Sequence, residues 1–311
     1  MNRRQFAKTL GIGAAALGMS KAVLPFTDEP PQMAITIDDF NLFGASEAVA
    51  EKRNRALLDA LRTHSNLKAA AFPAGKHIDS RLGRQLVREW GRAGHIIANH
   101  TYSHWEYTEH SFEEYAQDVL RDEALIKDLP GFTRRFRFPM LKEGDTIERR
   151  DKMRAFLKRH GYRMGYVTID NSDWYIDARL RERLAKNSKA DVTAYRDYYL
   201  NHLWDRATFY DRLSRKVLGR SVKHTLYFHH NVLNELFLGD VLYMFQSKGW
   251  KLINAEDAFT DSVFSTTPII LPAGESIIWA LAKETEKFND ILRYPGEGGE
   301  YEKPNMDKLS L

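Results

Sequence analysis

Short apolar runs typical of β-strands alternate along this chain with longer segments of helical periodicity. The predicted strands are residues 33–37, 68–73, 95–98, 135–138, 162–169, 223–228 and 251–253. The predicted helices are about 46–63, 80–93, 111–128, 147–160, 177–187, 192–218 and 233–248. Strands that alternate with helices form a parallel sheet, which is either open or closed into a barrel. The sequence therefore predicts an α/β protein.

The composition limits the kinds of site that such a fold can carry. The chain has 311 residues, 43% of them hydrophobic, which suffices for one large α/β domain or two smaller ones. It contains no cysteine, so disulfides, thiolate metal ligands and cysteine nucleophiles are excluded. Any metal ion must therefore be bound by histidine and carboxylate side chains.

The distribution of charge argues against a nucleic-acid partner. The formal net charge is +4, and residues 1–22 contain four basic residues and no acidic one. The rest of the chain is therefore formally neutral. It lacks the basic surface that binding to a phosphate backbone requires.

Residues 1–22 have the pattern of a twin-arginine signal peptide. Arg3 and Arg4 precede a weakly apolar stretch, 10–19, that is too short to span a bilayer. A plain basic N-terminus is the alternative interpretation. The pattern predicts export by the twin-arginine route, to the periplasm or outside the cell, and residues 23–32 are predicted to be a linker. No later segment approaches about 18 uninterrupted apolar residues, so no stable membrane insertion is predicted.

Polar residues stand where several of the predicted strands end. Asp38 and Asp39 end the first strand, and His100 and His104 follow the third. One aspartate and two histidines suit a divalent ion such as zinc, and three protein ligands leave one coordination position open for water. The second aspartate is then available as a general base. Because the carboxyl ends of parallel strands meet at one edge, these residues predict a metallohydrolase site.

Three further polar positions follow predicted strands: Arg137, the pair Asp170 and Asp173, and His229. Each candidate alone has an ordinary structural explanation. Adjacent aspartates cap helices, paired histidines lie on surfaces, and an arginine with an aspartate forms a structural ion pair. Their repeated occurrence at strand ends favours one common site.

Five short motifs contain these positions. They are Thr-Ile-Asp-Asp at 36–39, His-Thr-Tyr-Ser-His at 100–104, Arg-Phe-Pro at 137–139, Asp-Asn-Ser-Asp-Trp at 170–174 and Leu-Tyr-Phe-His at 226–229. In type and order they resemble the T-F-D-D, H-[ST]-x-x-H, R-x-P, D-x-x-D-W and L-x-x-H motifs of the polysaccharide deacetylases, carbohydrate esterase family 4, also called the NodB-homology domain. The resemblance covers about residues 33–260. It implies a distorted parallel (β/α) barrel of about seven strands.

The resemblance also implies a metal site with its base. Asp39, His100 and His104 would bind a divalent ion, in the first place Zn²⁺, with Co²⁺, Ni²⁺ and Mn²⁺ as alternatives. Asp38 would be the general base. The family has Phe where Ile37 stands, which is a mild apolar exchange.

The other motif residues would complete the reaction machinery. By the resemblance, Arg137 would orient Asp38, and Asp173 would hold Arg137. His229 would be the general acid. His230 is the alternative acid, because the chain reads His-His-Asn at 229–231 where His-Asp is common. Neighbouring residues on a strand point to opposite faces, so only one of the two histidines can enter the site.

The substrate side is less fully determined by the motifs. Trp174 would form a wall of the acetyl pocket, and Pro139 would contribute to substrate binding. The family continues after this proline with an aromatic residue and glycine, whereas Met-Leu-Lys-Glu-Gly follows here at 140–144. The wall beside Arg137 is therefore expected to be reshaped.

The domain organisation is predicted from these boundaries. Residues 33–261 would form the catalytic domain, interrupted by a helical insertion at 175–222. Residues 262–311 would form a C-terminal extension with a short helix at 276–281. The Gly-, Pro- and Glu-rich stretch 294–306 is expected to be a flexible tail.

The function implied by the resemblance is hydrolytic removal of acetyl groups from a polysaccharide or oligosaccharide. N-acetyl amides are expected in preference to O-acetyl esters, and an acetylated carbohydrate is the expected partner. Two alternatives stay open: an amidase or imidase acting on a non-sugar substrate, and an inactive relative that only binds glycans. The sequence makes no prediction of oligomeric state.

Overall fold

The fold is described from a computed structural model, which describes residues 29–42, 45–293 and 298–311. The predicted targeting segment, 1–22, and residues 23–28 of the predicted linker lie outside these described residues. Within the described ranges, no helix combines the length and the apolar character needed to cross a membrane.

A seven-stranded parallel sheet forms the centre of the protein. The strands are β1 Gln32–Asp39, β2 Ala70–Pro73, β3 Ile96–Asn99, β4 Phe132–Phe136, β5 Lys142–Gly144, β6 Arg163–Met164, β7 Lys223–His229, β8 Lys251–Leu252 and β9 Ala273–Gly274. The main order is β6-β4-β3-β2-β1-β7, with β8 paired to the start of β1, while β5 and β9 form a separate antiparallel pair. The prediction of an α/β fold with about seven parallel strands is confirmed.

The sheet curves until its two ends approach each other. After β6, the chain reaches β7 through an isolated parallel bridge between Ile169 and Leu226. The backbone N–H groups of Thr168 and Ile169 donate to the Thr225 carbonyl, at 3.3 and 3.1 Å. We call this contact the closing bridge. It turns the open sheet into the distorted (β/α) barrel that the sequence predicted.

Two predicted strands differ from the observed ones. The continuous strand expected at 162–169 consists instead of β6 and the closing bridge. The reason lies at Gly165, where the carbonyl accepts a hydrogen bond from Arg137 Nε at 2.8 Å, so the arginine side chain occupies a position that a neighbouring strand would use. The strand expected at 135–138 is β4, which ends before Arg137.

Helices surround the sheet at nearly the predicted positions. They are α1 Glu47–Thr63, α2 Gly75–Ile78, α3 Arg81–Arg92, α4 Phe112–Ile126, α5 Ile147–Arg159, α6 Asp173–Lys186, α7 Thr193–Leu218, α8 Val232–Ser247, α9 Ala255–Ala258, α10 Ile277–Glu284 and α11 Gly299–Lys308. Side-chain caps fix several starts, including a capping box formed by Ser111 and Glu114. Because helices cover the outer face of the sheet, both faces of β1 are buried. Successive residues of this strand point alternately to the two buried faces.

The chain after β8 is more ordered than its composition predicts. The expectation of a flexible tail at 294–306 is wrong for residues 299–306, which lie in α11. Glu302 lies buried on this helix and accepts a hydrogen bond from Arg206 of α7 at 2.7 Å. Burial of this ion pair fixes a segment that is polar in sequence.

Candidate metal and catalytic site

The candidate residues lie together at the carboxyl ends of the central strands. Asp38 and Asp39 end β1, His100 follows β3, Arg137 follows β4, and His229 ends β7. Asp38 pairs in register with Phe72 of β2 on one side and with His229 of β7 on the other. The parallel topology therefore gathers side chains that are far apart in sequence.

Asp39, His100 and His104 form a cluster of the kind that binds a metal ion. Asp39 Oδ1 lies 2.9 Å from His104 Nε2 and 3.4 Å from His100 Nε2. One ligand atom from each residue lies within 4.8 Å of the other two. The buried Asp39 Oδ1 has no well-directed hydrogen-bond donor among the described residues. Two imidazole nitrogens around such a carboxylate oxygen fit a divalent cation of the zinc type.

A backbone contact fixes the orientation of His100. Its Nδ1 lies 2.9 Å from the Arg137 carbonyl, which can only accept, so we assign the ring proton to Nδ1. The lone pair on Nε2 then faces Asp39, as a metal ligand requires. Asp122 of α4 accepts the His100 backbone N–H at 3.2 Å. The imidazole is therefore oriented from both its ring and its backbone.

The backbone at the ligands adopts an uncommon conformation. Strand alternation would place Asp38 and Asp39 on opposite faces. Instead, Asp39 has a φ of 73° and His104 a φ of 56°, both in the left-handed region. Such residues cost about 1–3 kcal/mol each and persist where surrounding contacts determine them. The turn at Asp39 allows both neighbouring carboxylates to serve one site.

His77 is one of the contacts that stabilise this turn, and the sequence analysis did not find it. Its Nδ1 lies 2.9 Å from the Asp39 carbonyl, which also accepts from the Ala74 backbone N–H at 3.2 Å. The His77 ring lies 5.8 Å from that of His104. His77 of α2 therefore lies beside both Asp39 and His104.

Asp38 has the features expected of a general base. It is fully buried, and its Oδ1 accepts a hydrogen bond from Arg137 Nη1 at 2.6 Å. Its other oxygen, Oδ2, lies 3.7 Å from His100 Nε2 and has no hydrogen-bond partner among the described side chains and backbone. Burial raises the pKa of Asp38, although the guanidinium of Arg137 acts in the opposite direction. Arg137 thus holds Oδ1 of Asp38, while Oδ2 faces the Asp39, His100 and His104 cluster.

Arg137 is held by different residues than the sequence predicted. Its Nε donates to the Gly165 carbonyl at 2.8 Å, and its Nη1 also reaches Thr36 Oγ1 at 2.9 Å. The guanidinium lies 4.0 Å from the centre of the Phe72 ring. The prediction that Asp173 holds Arg137 is wrong, because both carboxylate oxygens of Asp173 serve other donors.

Asp173 instead binds His229. Its Oδ1 lies 2.6 Å from His229 Nδ1, and its Oδ2 accepts the His229 backbone N–H at 2.9 Å. The side-chain amides of Asn231 and Asn234 also donate to Oδ2, at 3.1 and 2.9 Å. Burial lowers the pKa of His229, but the carboxylate of Asp173, with smaller contributions from Asp39 and Asp38, outweighs it and raises the pKa to about 10. His229 is therefore protonated at neutral pH and carries a proton to donate.

The remaining nitrogen of His229 points at Tyr227. The distance between His229 Nε2 and the Tyr227 hydroxyl is 2.8 Å. Tyr227 was missed in the sequence analysis, although its position could have been found, since residues two apart on a strand share a face. Asn234 lies one turn into α8, and no motif or spacing in the sequence points to it.

His230 points away from this arrangement. Its ring stacks on Phe40 with centroids 4.7 Å apart, and its Nε2 lies 3.4 Å from Asn54 Oδ1. Burial, with Arg53 nearby, lowers the pKa of His230 to about 3, so the ring is neutral. Of the two histidines considered, His229 has the geometry of a general acid.

Two grooves meet at the cluster. Their volumes are about 580 Å³ and 520 Å³, and Asp39, Trp174 and His229 line both of them. Trp174 is 44% exposed and stands between them, in agreement with a role in a substrate wall. Pro139 is buried, and the second groove is lined instead by the three residues that follow it, Met140 to Lys142.

Fold and site together define an α/β barrel with an Asp-His-His cluster, a buried aspartate beside it and a histidine paired with a second aspartate. Residues 27–165 match the family model described as polysaccharide deacetylase. The chain is 27% identical over 118 residues, 38% of its length, to the peptidoglycan-N-acetylglucosamine deacetylase of Bacillus cereus. That match spans 40% of the length of the relative.

Solved structures show the same fold. The chain is similar to PdaA of Bacillus subtilis, a family 4 carbohydrate esterase, with 17% identity and a TM-score of 0.51 over 74% of this chain and 81% of that one. It is equally similar to a mutant of a CE4 family pseudoenzyme, with 15% identity and a TM-score of 0.51 over 74% of this chain and 67% of the other. The match to the polysaccharide deacetylase model covers residues 27–165, which is less than half of the chain.

Proposed function

We propose that this protein is a hydrolase that removes acetyl groups from a polysaccharide or oligosaccharide, with N-acetyl amides preferred. The match of residues 27–165 to the polysaccharide deacetylase model and the printed activity of the Bacillus cereus relative support membership of that family and the reaction class. One observation carries the proposal for this chain. The free Oδ2 of buried Asp38 faces the Asp39, His100 and His104 cluster, so a base stands beside a place for an activating cation.

The cluster would hold a divalent ion through Asp39 Oδ1 and the Nε2 atoms of His100 and His104. Zn²⁺ fits this donor set, and Co²⁺, Ni²⁺ and Mn²⁺ are alternatives. When bound, the ion would polarise the acetyl carbonyl and lower the pKa of a nearby water. The proton transfers are carried out by the side chains of Asp38 and His229.

Asp38 takes the proton of the attacking water on Oδ2. Burial has already raised its pKa, which makes this carboxylate a better base than an exposed one. Its Oδ1 bond to Arg137 keeps the carboxylate in one orientation during the transfer. The water oxygen adds to the acetyl carbonyl carbon, and a tetrahedral centre results.

His229 supplies the proton that the leaving group needs. As the carbon–nitrogen bond breaks, Nε2 donates to the amine nitrogen, and the products are the free amine and acetic acid, which ionises to acetate. Asp38 then gives its proton to solvent and His229 takes one up, so both side chains return to their starting states. Asp173 stabilises the protonated ring beforehand through the 2.6 Å contact with Nδ1. The substrate nitrogen must take the place of the Tyr227 hydroxyl beside Nε2.

The test is acetate release from N-acetylated and O-acetylated oligosaccharides by the metal-loaded protein. Asp38→Asn should lower kcat by a factor of about 100 or more while zinc affinity stays within a few-fold of the wild type. Asp59→Asn, at an exposed position in α1, is the control and should change neither value. Hydrolysis of cyclic imides alone, or glycan binding without release, would favour one of the two alternative functions.

A further inference from the structure

The C-terminal helix α11 begins at the groove that contains the candidate site. Gly298 and Glu300 line the 520 Å³ groove together with Asp39, Trp174 and His229. These two residues come from the part of the chain outside the matched family segment. The extension therefore contributes directly to the surface beside the reacting groups.

The first turn of α11 is in close contact with the helix that carries the groove tryptophan. A Cβ atom at Gly299 would lie 2.5 Å from Cδ2 and 2.7 Å from Cε2 of the Tyr175 ring. Only glycine permits this approach. Tyr175 in turn meets Trp174 edge to face, with centroids 5.8 Å apart. The position of α11 is thus tied to the wall of the groove.

Buried polar contacts hold α11 against α7. Glu302 is 3% exposed and lies 2.7 Å from Arg206 Nη2 and 3.3 Å from His202 Nδ1. It also accepts a hydrogen bond from the Tyr198 hydroxyl. Burial raises the pKa of Glu302, but His202, Tyr198 and Arg206 lower it to about 2. The carboxylate is therefore ionised and anchors the helix.

A second contact holds the end of the chain. Arg179 of α6 lies 2.9 Å from Asp307 and donates to the carbonyl of the buried Leu311. Together with the Glu302 contacts, it fixes α11 along both α6 and α7. These are the two helices that the sequence analysis assigned to an insertion, so extension and insertion build one wall.

We propose that the start of α11 is a substrate subsite in which Glu300 binds the sugar unit next to the acetylated one. The inference rests on the proposed deacetylase function. An acetyl group does not fill 520 Å³, and the groove combines apolar surface from Met140 and Trp174 with polar groups from Lys142 and Glu300. Sugar rings present apolar faces and hydroxyl edges, and a carboxylate accepts hydrogen bonds from such hydroxyls.

The experiment compares a substrate that reaches Glu300 with one that does not. The probes are N-acetylglucosamine and its β-1,4-linked tetramer, and the variant is Glu300→Gln. For the tetramer, KM should rise about tenfold with kcat nearly unchanged, the effect of losing one charge-assisted hydrogen bond. For the monomer, neither value should change. Glu284→Gln, exposed in the same extension, is the control and should behave as wild type.

Three results would overturn the subsite. They are unchanged kinetics with both probes, an equal loss with both probes, and an equal loss in the control. If the wild type releases no acetate, the deacetylase proposal fails, and calorimetric titration of the tetramer still tests Glu300. Weaker tetramer binding by Glu300→Gln than by the wild type then supports the subsite. Equal affinity, or no binding by the wild type, refutes it.

Discussion

Replacement of Asp173 by asparagine should remove the proton that His229 donates. Asp173, with smaller contributions from Asp39 and Asp38, raises the pKa of His229 from 6.5 to about 10 despite burial. At 1.36 kcal/mol per pH unit, this rise corresponds to about 5 kcal/mol in favour of the protonated ring. The asparagine oxygen can still accept the bonds that reach Oδ2. Its NH₂ group then faces His229 Nδ1, which must become an acceptor, so the ring is left neutral.

The magnitude follows from the fraction of protonated His229. Without Asp173, burial is the largest influence on the ring and only Asp39 and Asp38 act against it. We therefore expect the pKa of His229 to fall below 6.5. At pH 7.5, at most about a tenth of the molecules then carry the proton. We expect kcat/KM to drop at least about tenfold at that pH. The basic limb of the profile should move from near pH 10 to below pH 6.5.

The same shift has a consequence for stability. A histidine with a raised pKa stabilises the folded state fully below its unfolded pKa of about 6.5 and loses this contribution as pH rises through about 10. The wild type should therefore lose stability between these values. Asp173→Asn should lack this loss.

The assay is the pH dependence of kcat/KM together with an NMR titration of the His229 ring. Asp211→Asn is the matched control, because Asp211 faces His224 at the opposite end of β7, with 3.4 Å between Oδ1 and Nε2. It should lower stability while the pH profile stays at the wild-type position. An unchanged pKa of His229 in Asp173→Asn would refute the reasoning.

Two further predictions test the surroundings of the site. His77→Phe should weaken zinc binding about 10- to 100-fold, because it removes the bond to the Asp39 carbonyl. His64→Phe removes the same type of bond, to Ala60, and should leave zinc affinity unchanged in calorimetry. Glu302→Gln should remove about 3 kcal/mol at pH 7, because a pKa lowered from 4.5 to about 2 stabilises the fold above pH 4.5. Urea unfolding at pH 7 and pH 2 measures this loss, which should be small at pH 2, where the folded-state carboxylate is about half protonated.

The sequence predicted the parts of the site that topology alone determines. Asp38, His100, Arg137 and His229 stand at strand ends, and a parallel sheet brings such ends to one edge. The sequence also indicated correctly that His229 and His230 point to opposite faces of the strand, so that only one of them can enter the site. The structure adds the direction, with His229 toward Asp173.

The partner of Asp173 could not be predicted in this way. Arg137 and His229 are both basic, and the choice between them depends on how the first turn of α6 sits against β7. The ordered helix α11 was missed for a related reason. Glu302 and Arg206 are 96 residues apart, and no local pattern indicates that they meet.

The closing bridge joins the segment that leads to Asp173 to the strand that ends at His229. The cluster residues Asp39, His100 and His104 follow β1 and β3, whereas Asp173 and His229 flank the bridge between Ile169 and Leu226. A molecule that opened at this bridge would keep the cluster and the β1–β7 pairing that places His229, but it would separate Asp173 from His229. Under the proposed function, metal content would therefore not distinguish such a molecule from one in which Asp173 still holds His229.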